Sequence, residues 1–304
     1  MISIRDVALD AAEPVALKGL TGAQVAAFQR DGFLFMQKLF TPDEIGLLQN
    51  LIQADAAIRE HAVGVIDSSG APAELFGWSG KSDDLLGAFV RIARLVESAQ
   101  DLLDSQAVYH WHSKLSFKRP GSEGRWDWHQ DYGSWYEEGC LRPEMLTAMV
   151  AVDPCFIENG CVQLVRGSNR LGRIEHGPLG QSHGADPDVV TRALDQLDLV
   201  ACELEPGDVV FFHGNTLHAS GPNRSTVPRT VLHVSYNTER NRPSDPLLIH
   251  EYQPLERLPD DALTSGGFAA RIDRDALAVR MELRRRQNIG EVYGYQVDRN
   301  IGRS

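Results

Sequence analysis

Apolar and polar positions alternate along this chain with two different periods, and the change of period divides it. Between Thr21 and Gly32 the apolar residues fall at helical spacing, with Thr21 a suitable N-cap and Gly32 a suitable C-cap. The run FLFMQKLF (33–40) is short and apolar enough for a strand. Thr41-Pro42-Asp43-Glu44 then opens a second helix, with proline at the first helical position and acids in the first turn; Ile45, Leu47, Leu48, Leu51 and Ile52 form its apolar stripe. Residues 62–80, with their glycines and serines, read as loop, and residues 84–104 return to helical periodicity.

From Ala107 to Tyr236 the texture is different. YHWHSKLSF, MLTAMVAVD, CVQLV, DVVFF and TVLHVSYN are short β-rich runs separated by Gly, Pro, Asn and Asp, which predicts an all-β barrel or sandwich core. Residues 185–197 interrupt it with a short helical or loop insertion, and residues 270–288 read as a C-terminal helix whose Arg280, Arg284, Arg285 and Arg286 form a solvated face. The expected organisation is one domain over 1–304: a helical part at about 20–105, the β core at about 106–240 and an extension over 241–304.

Composition narrows the function. With 42% hydrophobic and 24% charged residues the chain is an ordinary globular one. Its 30 basic against 42 acidic residues give a net charge of −12, which argues against nucleic acid and against an anionic membrane surface as partners. No apolar run is long enough to span a bilayer, and the N-terminal residues lack the apolar stretch of a secretion signal. Cys140, Cys155, Cys161 and Cys202 form no CxxC pair and read as reduced thiols, so the cytoplasm is the expected location. A small molecule is the expected partner, for a monomer or a homodimer.

The candidate chemistry begins at His129-Gln130-Asp131. On an extended segment residues two apart share a face, so this imidazole and carboxylate can bind one metal ion. Far along the chain, DVVFF leads into a Gly- and Asn-containing loop and His218, with His213 and His233 as rivals for a third ligand. Two histidines and one carboxylate on one face of an octahedron leave three positions open, the pattern of non-haem Fe(II) oxygenases. Arg229, eleven residues beyond His218 at the start of a strand, can clamp a carboxylate through two parallel hydrogen bonds, which suits 2-oxoglutarate. His110-Trp111-His112 has no nearby Glu of the kind a cupin site requires.

These segments together resemble the phytanoyl-CoA dioxygenase (PhyH) superfamily of Fe(II)- and 2-oxoglutarate-dependent oxygenases. The resemblance runs through RDGFLFMQKLFTPDEIGLLQ, WHQDYGSWYEEG, ENGCVQLVRGSNRLG, EPGDVVFFHGNTLHASGPNRS and PRTVLHVSYN, about two-thirds of the chain. The WHQDYGSW block is most similar to bacterial ectoine- and proline-type hydroxylases. The resemblance implies a mainly β fold with flanking α-helices, built on a double-stranded β-helix (jelly-roll, cupin-like) core. It implies iron ligands at His129, Asp131 and His218, with Arg229, Lys118, Thr147 and Ser220 at the 2-oxoglutarate. It also implies a substrate near Trp135, His112 and Tyr136. The expected reaction is O2-dependent hydroxylation of an unactivated C–H of a small polar molecule, with release of succinate and CO2. The carboxylate at Asp131 favours hydroxylation over halogenation. Two departures stand out. Arg166-Gly167-Ser168-Asn169 lacks the family's histidine in that loop, and His112 replaces a glutamine that lies near substrate in ectoine and proline enzymes. An acyl-CoA hydroxylase, a non-catalytic binding protein and a zinc hydrolase are the rival readings.

Overall fold

A computed structural model describes residues 2–3, 19–80, 82–243, 252–268 and 271–272. The expected helix at 270–288 lies outside the described residues.

The N-terminal region contributes β1 (Ile2–Ser3), α1 (Gly22–Asp31), β2 (Phe33–Met36), α2 (Pro42–Ala54) and α3 (Ala56–His61). Both expected caps form. Thr21 and Thr41 each accept from the backbone N–H of the third helical residue, and Gln24 and Glu44 reach back to complete capping boxes. Gly32 ends α1 in the left-handed region at φ 85°.

Residues 62–80 are not loop. They form β3 (Val63–Ile66) and β4 (Pro72–Trp78), an antiparallel pair that extends the sheet. The turn between them is closed by Asp67, whose carboxylate accepts from the backbone N–H groups of Ser69 and Ala71. The helical stretch that follows is split into α4 (Leu85–Arg91) and α5 (Ala93–Leu102) at Ile92, whose extended backbone bridges to Leu258.

The β core then runs through β5 (Val108–Lys118), β6 (Trp126–His129), α6 (Asp131–Glu137), β7 (Met145–Ala151), β8 (Val162–Val165), β9 (His176–Leu179), β10 (Ser182–Ala185), α7 (Pro187–Gln196), β11 (Leu199–Ala201), β12 (Val209–His213), β13 (His218–Ser220) and β14 (Arg229–Thr238). A short α8 (Ala262–Ser265) follows. One sheet has the order β2-β12-β7-β14-β5-β4-β3 and the other β1-β11-β8-β13-β6, while β9 and β10 form a separate hairpin. Apart from the parallel β1–β11 edge, pairing within these sheets is antiparallel, as in a jelly roll.

Alternation along β14 shows how the layers stack. Leu232, Val234 and Tyr236 join the core packed beneath the helices, with Phe28, Ile45, Leu48, Phe89 and Leu95. Val231 faces the opposite way, into the space between the two sheets with Met149, Leu164 and Phe212. Arg229, His233 and Ser235 share the parity of Val231 and therefore face the inside as well. Across the β14–β5 ladder they pair with Lys118, Lys114 and His112. Six polar or charged positions of β5 and β14 are thus aimed at the interior of the roll at either side of a short apolar layer. Register irregularity in the ladder beyond Ser235 displaces Trp111 into a separate aromatic cluster at one end, with Tyr109, Tyr132 and Trp135.

Candidate metal centre and its surroundings

His129 is the last residue of β6 and His218 the first of β13, and the two are direct cross-strand partners. Their imidazole centroids are 4.1 Å apart. Each ring is anchored in the same way: His129 Nδ1 bonds the Asp127 carbonyl at 2.7 Å and His218 Nδ1 the Thr216 carbonyl at 2.9 Å. A carbonyl only accepts, so Nδ1 carries the proton in both rings and Nε2 presents its lone pair. Asp131 opens α6 two residues beyond His129. Its Oδ1 lies 3.9 Å from both His129 Nε2 and His218 Nε2. Two ligand bonds of about 2.1 Å span up to about 4.2 Å, so one ion reaches these atoms. Among the described residues this is the one His/Cys/Asp/Glu group of three that could hold a metal.

The charge states suit a cation. Burial, and then the neighbouring His218, push His129 well below the ordinary imidazole range; burial also lowers His218. Both rings are therefore neutral, the form that ligates. Burial opposes ionisation of Asp131, but the charge of Lys114, joined by the imidazoles as they take up protons in acid, more than offsets it and holds the carboxyl below its usual range. Asp131 Oδ2 accepts from Thr147 Oγ1 at 2.9 Å, and Thr147 also bonds Ser235 Oγ at 2.9 Å. Oδ1 is left to face the imidazoles. Thr147, expected at a co-substrate carboxylate, instead orients the carboxylate of the triad.

Deeper in the roll, Arg229 is 1% exposed, and its Nε and Nη2 have no hydrogen-bond partner. Ser220 Oγ, two residues beyond His218 on the same face, is also buried without a partner. A buried, unpaired guanidinium is costly unless an anion meets it. Arg229 and Ser220 thus leave polar groups unused in the interior. Lys118 is Arg229's cross-strand partner, but its ammonium bonds the carbonyls of Gly124, Ser220 and Gly221. Burial, and then the charge of Arg229, push it down to about 6, while the three carbonyls act in the opposite sense by favouring the ammonium. Lys118 thereby holds the Ser220–Gly221 backbone beside the Ser220 side chain.

The expected substrate residues separate. His112 lies at the interior, its ring 5.8 Å from that of Trp135. Trp135, at 2% exposure, packs with Tyr109, Trp111, Tyr132, Cys140 and Met145, so it supports the pocket wall. Tyr136 is 41% exposed and lies under the guanidinium of Arg173 at 4.4 Å. The rival ligands fall outside the triad. His213 Nδ1 accepts from Asn215 N–H at 3.0 Å, and His233 is buried facing Phe212. Cys155, Cys161 and Cys202 are free and buried between the sheets, where burial pushes the Cys155 thiol up to about 12.

Two residues that chemical motifs did not single out also belong here. Lys114 Nζ lies 4.0 Å from Asp131 Oδ1 and over the Trp126 ring at 5.7 Å. Its place was legible only as an interior-facing position of β5. Gln130 is the other, and its signal was its position between two ligands.

The Phytanoyl-CoA dioxygenase (PhyH) family matches residues 28–231, which include all four of His129, Asp131, His218 and Arg229. The chain belongs to the phytanoyl-CoA dioxygenase family. Among relatives of this phytanoyl-CoA dioxygenase family protein, the ectoine dioxygenase of Bordetella bronchiseptica is 30% identical over 245 residues, covering 75% of this chain and 78% of that enzyme. The L-proline trans-4-hydroxylase of Streptomyces griseoviridis is 26% identical over 236 residues, covering 72% and 87%. The fold resembles that of EctD from S. alaskensis, solved with 2-oxoglutarate and 5-hydroxyectoine, at a TM-score of 0.65 and 22% identity over 82% of this chain and 91% of that one. Among the described residues of the family member analysed structurally, no helix is long and apolar enough to cross a membrane.

Proposed function

We propose that the substrate is a small polar molecule bearing a carboxylate, an amino acid or related zwitterion or a natural-product intermediate, hydroxylated at an unactivated C–H. The protein is a non-haem Fe(II)- and 2-oxoglutarate-dependent dioxygenase. The observation that carries this reading is the His129–Asp131–His218 triad on the same interior as an unpartnered, buried guanidinium.

In this reading His129, Asp131 and His218 hold Fe(II), and Arg229 with Ser220 takes the distal carboxylate of 2-oxoglutarate. Bound there, the iron with 2-oxoglutarate and O2 supplies the oxidising power for C–H hydroxylation, with succinate and CO2 as co-products. The chain's own residues do the positioning. The Asp127 and Thr216 carbonyls fix both imidazoles with Nε2 inward. Thr147 holds Asp131 so that one oxygen faces the metal. Lys118 fixes the backbone beside Ser220. Lys114, the interior cation nearest the triad's carboxylate, suits the carboxylate of a substrate, with His112 beside it. Val231, Met149, Leu164 and Phe212 keep the inter-sheet space dry, which strengthens each of these electrostatic contacts.

The test is an anaerobic titration of metal-free protein with Fe(II) and 2-oxoglutarate, read by the visible metal-to-ligand charge-transfer band. One equivalent should saturate the band, and Asp131→Ala and Arg229→Ala should each weaken it. Folded wild-type protein that gives no band overturns the assignment. With the band in hand, O2-dependent succinate release across a panel of amino acids and zwitterions identifies the substrate class; release confined to substrates without a carboxylate would overturn that part.

A further inference from the structure

Gln130 separates the two ligands of the His-x-Asp pair. Its side chain is 0% exposed, and its carboxamide is engaged at both ends. Nε2 donates to the carbonyls of Asn215 at 2.7 Å and Gly172 at 2.9 Å, and Oε1 accepts from the Ile174 N–H at 2.7 Å. Both amide hydrogens and an oxygen lone pair are therefore used. The backbone N–H of Gln130 donates to His176 Nε2 at 2.9 Å, and His176 Nδ1 bonds the Ile174 carbonyl at 2.8 Å. That second bond fixes His176 as the neutral tautomer able to accept from Gln130. The fit is close: a Cβ on Gly133, in the first turn of α6, would come within 2.4 Å of the His176 ring.

The three ligands sit on two arms of chain. One arm is the β6–α6 junction, carrying His129 and Asp131; the other is the entry to β13, carrying His218. The β6–β13 ladder joins them at His129 and His218, but its register is irregular between His218 and Ser220. Beside the backbone bond from Tyr132 N–H to the Gly214 carbonyl, the Gln130–Asn215 bond is a side-chain tie between the arms, and it lands three residues before His218. The bonds to Gly172 and Ile174 brace that tie against a third segment.

We propose that Gln130 is a positioning residue for the metal centre: its buried carboxamide sets the separation of the His129–Asp131 arm from the His218 arm, with His176 as its brace. The proposal rests on the metal reading above. It assigns to Gln130 control of metal affinity and ligand geometry, with no contact to the metal itself.

The experiment uses the full chain and Co(II) as the probe, without co-substrate or turnover. Gln130→Met keeps the side chain's length and removes all three bonds. Its Co(II) affinity should fall about 10–100-fold, the range seen when groups supporting metal ligands are removed, and its visible ligand-field bands should shift. Tyr236→Phe is the control. It removes a buried hydrogen bond to the Val90 carbonyl on the helix side of the seven-stranded sheet, and it should leave Co(II) affinity and bands as in wild type. Gln130→Glu has the same shape but, even with its carboxyl protonated, only one donor for the Asn215 and Gly172 carbonyls, and it replaces Gln130→Met should that variant not fold. Wild-type affinity and bands in the folded Gln130 variant overturn the proposal. So does an equal loss in Tyr236→Phe, which would make the effect one of general stability. A wild-type chain that binds no Co(II) overturns the metal centre itself, a result distinct from either.

Discussion

At the scale of single residues, the sharpest statement concerns Arg229. Its guanidinium is buried among Val231 and the Cys155 and Cys161 thiols, and burial lowers its pKa from the ordinary value. Holding an unpaired charge out of water costs on the order of several kcal/mol, which an apolar side chain of similar volume avoids. Arg229→Met should therefore leave the metal-free protein at least as resistant to urea as wild type, while 2-oxoglutarate binding is lost. Calorimetry of 2-oxoglutarate binding alongside urea unfolding checks both halves; a strongly destabilised variant would mean that Arg229 is paired within the fold and needs no external anion. The triad and Arg229 were legible in the sequence because the chemistry admits few residue types and fixes their spacing. Trp135 was not. An aromatic beside a ligand signals burial, but whether it faces substrate or core depends on the turn into α6. Gln130 was marked only by its place between two ligands, because its role lies in three partners at Gly172, Ile174 and Asn215, all distant in the chain.

At the scale of elements, the caps of α1 and α2 were legible because capping is local: Thr41 and Glu44 satisfy each other's backbone groups within one turn. What locality did not show is that Glu44 reaches further. Its Oε1 meets Arg94 Nη2 of α5 at 2.5 Å, with both side chains almost wholly buried, and Arg94 also lies over the Phe40 ring at 4.4 Å. The acid expected to complement a helix dipole is thus also the partner of a buried cation that pins α2 to α5. Breaking a buried ion pair from one side costs about 3–5 kcal/mol, against about 1 kcal/mol for a lost cap hydroxyl. Glu44→Ala should accordingly destabilise several-fold more than Thr41→Ala in urea unfolding, and Arg94→Ala should recover part of that loss in the double variant. Equal costs for Thr41→Ala and Glu44→Ala would reduce Glu44 to a cap. Residues 62–80 failed as a sequence assignment for the complementary reason. VGVI and PAELFGW are too short to show a period of their own, and they become strands because β5 offers an unpaired edge to β4.

At the scale of the whole molecule, the fold buries neutral imidazoles in several places, and this sets its response to acid. Burial lowers His129, His176, His213, His218 and His233 alike. An unfolded chain takes up these protons below about pH 6.5, whereas the folded one resists them, so the unfolded state binds more protons and stability falls as pH falls. His213 tests the effect at a residue outside the triad. It sits where β12 meets α1, near the Phe28 ring, and burial pushes it down to about 4. Its contribution is fully present above about pH 6.5 and is lost progressively as pH falls toward about 4. In metal-free protein followed by circular dichroism, His213→Gln should move the acid-unfolding midpoint to lower pH and leave stability at neutral pH within about 1–2 kcal/mol of wild type, since a glutamine oxygen can still accept from Asn215 N–H. An unmoved midpoint would place the acid sensitivity in the triad or the other buried histidines. Saturating metal should then displace the midpoint further, because an ion that binds only the folded state at about 100 times its Kd adds about 2.7 kcal/mol. The two displacements should depart from simple addition. His213 accepts from the Asn215 N–H and Gln130 donates to the Asn215 carbonyl, so the proton taken up at one site and the ion held at the other draw on a shared segment of the roll.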